Sequence, residues 1–83
     1  MNKADDVIKS KWGWALARLR HSYSKYGIIV IWSKKEFAKL FEKFGTKESA
    51  YEPYILEQLK KLNDERKIDF IGNDDIYFKV INI

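Results

Sequence analysis

The chain has 83 residues, a net charge of +4, three Trp, five Tyr, five Phe and no Cys. Without Cys there is no disulfide framework and no thiolate metal site. No apolar run reaches the length of a membrane span and the N-terminus lacks a signal-peptide core, so a soluble, cytoplasmic protein is expected. A domain this short buries only roughly 60% of its unfolded surface, and the aromatic side chains supply much of the apolar area it has.

The charge is uneven along the chain. Residues 1–32 carry six basic and two acidic groups, 33–45 four and two, 46–67 five and five, and 68–83 one and three. The positive charge therefore lies in the first half.

In chain order, the first predicted element is a helix from about Ala4 to Tyr26. Ile8, Trp12, Ala15, Leu16, Leu19, Tyr23 and Tyr26 fall on one stripe at helical spacing, the expected core face. Gly13 sits inside this helix, where close backbone packing would explain it. Gly27 suits a left-handed cap. The opposite face carries Lys11, Trp14, Arg18, His21 and Lys25, so Trp14 is expected to be exposed among cations.

The apolar run Gly27–Trp32 reads as a strand, with Ile28–Ile31 as a candidate sheet member. The second helix has a capping box, Ser33 and Glu36, flanked by Trp32 and Phe37 at hydrophobic-staple positions. Phe37, Leu40, Phe41 and Phe44 form its apolar face, and Gly45 supplies the stop. A third helix is predicted from about Tyr51 to Lys67, with Ile55, Leu59 and Leu62 anchoring it. Regular helix is expected only near Pro53, because proline favours the first helical position. Two short strands, Ile68–Ile71 and Ile76–Val80, close the chain around Gly72-Asn73-Asp74-Asp75.

Trp32-Ser33-Lys34-Lys35-Glu36-Phe37, the Gly45 turn, the stretch Leu59–Ile68 and the final hairpin together resemble the winged helix-turn-helix superfamily over nearly the whole chain. The L-x-x-L…I ending of the third helix is similar to small prokaryotic or archaeal transcription regulators. The Ile- and Lys-rich, Cys-free composition also suits an archaeal, plasmid or viral protein. The resemblance implies an α+β fold: one winged-helix domain over residues 1–83, with three helices, a small antiparallel sheet and a C-terminal hairpin wing.

It also implies binding of duplex DNA by a transcriptional regulator. Ser33, Lys34 and Lys35 would contact phosphates. Lys47, Ser49, Tyr51 and Lys60 would lie near the groove, with Ser49 and Tyr51 facing bases or backbone. Two features depart from the usual pattern. The turn before the third helix is long and carries Pro53, and Asn73-Asp74-Asp75 with Glu48, Glu52 and Glu57 puts negative charge where phosphate would approach.

A second reading is a protein-interaction module or dimerisation domain, using Lys11, Trp14, Arg18 and His21 on the outer face of the first helix. A homodimer through that helix is part of this reading. DNA contact through the same helix is a third. No nucleophile–base pair, Gly-rich phosphate loop, metal-ligand spacing or small-molecule site is evident, so neither catalysis nor a cofactor is expected.

Overall fold

The computed structural model describes residues 3–83. Helix α1 spans Lys3–Tyr26, strand β1 Ile31–Ser33, helix α2 Lys34–Lys39, helix α3 Glu48–Asp64, and strands β2 and β3 Ile68–Ile71 and Tyr77–Val80. The three strands form one antiparallel sheet in the order β1-β3-β2. Trp32 faces Phe78 across β1 and β3, and Phe70 faces Phe78 across β2 and β3. This is a small α+β fold with a winged-helix-like layout: three helices, a three-stranded sheet and a C-terminal hairpin.

The capping signals act as their chemistry requires. The Glu36 amide donates to Ser33 Oγ at 3.3 Å. The Trp32 and Phe37 rings meet edge to face with centroids 5.7 Å apart, closing the hydrophobic staple. Gly27 and Gly45 end their helices with φ of 73° and 79°, where a Cβ would be strained.

Ile8, Ala15 and Leu19 of α1, Phe37 of α2, Ile55 and Leu59 of α3, and Ile68 and Phe78 of the sheet are all buried in one core. Edge-to-face aromatic contacts link its layers. Phe37 lies 5.6 Å from Phe78, and Trp12 lies 6.3 Å from Phe37 and 6.4 Å from Tyr54. Each such pair adds roughly 0.5–1.5 kcal/mol beyond area burial.

Several boundaries differ from the sequence expectation. The strand is shifted: Gly27–Ile29 forms a 3-10 turn, and only Ile31–Ser33 pairs with β3. Ile28 and Ile29 are consequently exposed. Helix α2 ends at Lys39 and tightens into a 3-10 segment over Leu40–Phe44. Helix α3 begins five residues before Pro53, because the Lys47 carbonyl accepts from the amides of both Ala50 and Tyr51. Pro53 gives up only a bond to the Ser49 carbonyl, which solvent can replace because Ser49 is exposed.

Helix α3 also ends early, at Asp64. The Lys67 amide donates to the Leu62 carbonyl at 2.9 Å and the Arg66 amide to the Asn63 carbonyl at 3.1 Å. With Arg66 at φ 61°, this is a Schellman closure that uses arginine where glycine is usual. Tyr26 does not join the core stripe; it is 53% exposed. Gly13 has no packing role, since nothing lies within 4 Å of the place a Cβ would occupy.

Candidate nucleic-acid interface

The turn between α2 and α3 is held by two side-chain hydrogen bonds. After the left-handed Gly45, the buried Thr46 hydroxyl donates to the Phe41 carbonyl at 2.7 Å, tying the residue after the turn back to the 3-10 segment. The Tyr51 hydroxyl donates to Glu42 Oε1 at 3.0 Å, fastening the first turn of α3 to the segment before it. Nothing in the local sequence spacing signals either bond.

Tyr51 therefore does not face a groove as the resemblance implied. Its side chain is only 1% exposed and packs beside Phe41. Burial chiefly, with the Glu42 hydrogen bond and the nearby carboxylates behind it, pushes the Tyr51 phenol up to about 12.

Ser33, Lys34 and Lys35 line one groove of about 480 Å³ together with Glu52, Leu56 and Tyr77. It lies where the start of α2, the middle of α3 and the wing turn converge. Within it, Lys34 is already engaged. Its Nζ sits 3.6 Å from the centre of the Phe70 ring. Burial lowers its pKa, against an opposing pull from Asp75. Its amide donates to the Ile76 carbonyl at 3.0 Å. The start of α2 thus has two amides occupied, Lys34 by the wing and Glu36 by Ser33. Lys35 is exposed beside Glu52.

Lys47, Ser49 and Lys60 are all exposed, Lys47 at the cap of α3, Ser49 in its first turn and Lys60 farther along. Ser49 shares a shallow concavity with Glu48, Glu52 and Leu56. Lys47 and Lys60 line neither hollow. A hydrogen bond with Glu48 is the main cause that raises the Glu52 carboxyl, with Lys35 opposing. Holding a proton on Glu52 relieves the repulsion between its charge and that of Glu48.

A comparison of the chain with known protein families, curated proteins and solved structures finds no match. The functional reading therefore rests on the residues themselves.

The outer face of α1 forms a second candidate surface. Trp14 is half-buried rather than exposed, because Phe44 from the 3-10 segment packs edge-on against it at 5.1 Å. Arg18 Cζ lies 5.2 Å and Lys43 Nζ 4.7 Å from the Trp14 ring centre, and Lys11 Nζ lies 5.2 Å from that of Phe44. Lys43 and Phe44 were not legible as members of this cluster. The change from α- to 3-10 winding after Lys39 accompanies their turn toward α1. Trp14, Arg18 and His21 also line a groove of about 380 Å³ that continues to Lys25, Tyr26 and Trp32. Among the described residues no helix is long and apolar enough to cross a membrane.

Proposed function

We propose that this chain binds duplex DNA through its helix-turn-helix and serves as a small transcriptional regulator. The observation that carries the reading is the arrangement of α2, the Gly45 turn and α3 ahead of a β1-β3-β2 sheet, with α3 presenting an exposed face beside the hairpin. Lys35, Lys47 and Lys60 are among the exposed cations along that assembly, and Ser49 offers a hydroxyl in the first turn of α3. They would supply phosphate contacts and one uncharged contact near the bases. Lys34 would join them by exchanging its place over Phe70 for a phosphate oxygen, while Ser33 keeps its capping role. The Glu48/Glu52 pair sets the limit on affinity, since negative charge next to Lys35 weakens its attraction for phosphate.

Reversing charge at Lys35 and Lys47 together tests this reading. Both side chains are exposed, so the fold should survive. Binding to a mixed-sequence duplex should fall by about tenfold or more, as expected for two lost phosphate contacts. Unchanged binding would remove the helix-turn-helix reading.

The cation-bearing Trp14 cluster favours a second reading, a protein-interaction or dimerisation module centred on Lys11, Trp14, Arg18 and His21. A partner aromatic or carboxylate would find both an apolar ring and cations there. A dimer through this face should lose mass in sedimentation on Trp14→Ala.

A further inference from the structure

We propose that the free edge of β1 is a docking site for an extended peptide segment that is acidic at alternate positions and apolar between them. This goes beyond the DNA reading, whose residues lie elsewhere, and adds to the second reading a defined site and a defined partner chemistry beside the α1 face.

Strand β1 stands at the end of the sheet and pairs with β3 on one side only. Its backbone can therefore accept another strand. The edge is only three residues long, which limits the partner to a short segment, but it carries no proline and no lysine, and Ile31 is 52% exposed. Ile28 and Ile29, just before it, are 49% and 79% exposed.

The two sides of the edge differ chemically. Alternation along β1 turns Trp32 toward the helices and Ile31 toward the open face of the sheet. On the Trp32 side lies the groove of about 380 Å³ bounded by α1, with Arg18, His21 and Lys25 along it and no carboxylate in its lining. On the Ile31 side the outermost side chain is Ile31 itself, with Lys79 opposite it on β3 and Asp69 beyond on β2. A strand added at this edge would send alternate side chains to opposite sides. Acidic ones would meet Arg18 and Lys25, and apolar ones would cover Ile31 and its neighbours.

The same chemistry argues against other occupants. Two copies joined edge to edge would bring Arg18 and Lys25 of each toward the other with no acid in the groove between them. Nucleic acid would satisfy the cations and could stack on Trp14, Tyr26 or Trp32 of the groove, yet it would leave Ile28, Ile29 and Ile31 uncovered.

The test is a titration of the full chain with a short end-capped peptide alternating Glu and Val, with a Lys-Val peptide as control, followed by backbone amide NMR. The Glu-Val peptide should shift the amides of Val30–Ser33 and slow their exchange, and the Lys-Val peptide should not. Arg18→Glu with Lys25→Glu, both at exposed positions, should weaken peptide binding by about tenfold or more. The proposal is overturned by no binding at millimolar peptide, by shifts confined to α3 or the wing, or by equal binding of the two peptides. Displacement of the peptide from β1 by duplex DNA would reassign the edge to nucleic acid. A peptide-free dimer with Val30–Ser33 already protected would reassign it to a second copy. Failure of the peptide with a monomeric chain would overturn this site alone and leave the Trp14 reading to its own sedimentation test.

Discussion

The hydroxyl of Tyr51, in the first turns of α3, donates to the carboxylate of Glu42, nine residues earlier, at 3.0 Å. The bond spans the helix-turn-helix and fixes how α3 leaves the turn. With its ring buried and its phenol pushed from 10.0 up to about 12, Tyr51 also makes stability depend on alkaline pH. The folded state keeps the phenolic proton to higher pH than the unfolded state does. The stabilisation is therefore complete below pH 10 and is lost as pH rises from there toward about 12.

Tyr51→Phe should remove the hydrogen bond while keeping the ring. The expected cost at neutral pH is about 1 kcal/mol, and the decline in stability above pH 10 should become shallower. Urea midpoints at neutral and alkaline pH read both effects. A variant as stable as the parent, with the same alkaline decline, would contradict the role given to this bond.

Gly13 is an exposed helical position with open space around it. Gly13→Ala should stabilise the chain by about 1 kcal/mol, seen as a rise of several degrees in Tm. A loss of stability would mean that the helix approaches something at this point after all.

Arg66 closes α3 from a left-handed conformation. Arg66→Gly removes the strain on its Cβ and should stabilise by about 0.5–1 kcal/mol despite the added freedom of the unfolded chain. Arg66→Val should destabilise, because a β-branched side chain resists positive φ. Thermal unfolding of the two variants should bracket the parent, and the reverse order would contradict the Schellman closure.

If the chain binds DNA as proposed, the raised Glu52 carboxyl makes the affinity depend on pH. As pH falls from neutral, Glu52 takes up its proton earlier than an ordinary carboxylate does, and the α3 face loses negative charge. Affinity for duplex DNA should rise along that path. Glu52→Gln should raise affinity at neutral pH and flatten the rise, by fluorescence anisotropy with a labelled duplex. A Gln variant that keeps the full pH dependence would place its origin elsewhere.

The parts legible in the sequence are those set by short-range chemistry. Ser33 and Glu36 mark the start of α2, Gly27 and Gly45 mark stops, and alternation in the last strands gives the hairpin. The boundaries that moved depend on contacts between distant residues or on unusual backbone. Ile28 and Ile29 read as strand because they are β-branched and apolar, yet only Ile31–Ser33 finds a partner in β3. The end of α3 was hidden because arginine takes the left-handed place that glycine would have announced. At the candidate site, exposure of Lys35 and Lys60 follows from helical spacing, and that of Lys47 and Ser49 from their place at the turn before the expected helix. The burial of Tyr51 and the engagement of Lys34 with Phe70 and the wing do not. Both depend on where the hairpin and the Glu42 segment fold back, and no local pattern encodes that. The partial burial of Trp14 is hidden from the sequence for the same reason, since Phe44 reaches it only after the helix tightens.

The central claim is tested most directly by titrating a labelled mixed-sequence duplex with the chain at a series of salt concentrations. With about four phosphate contacts, the slope of log affinity against log salt should lie at about −3 to −4. Binding that is absent at low salt, or that shows no salt dependence, would contradict the DNA-binding account.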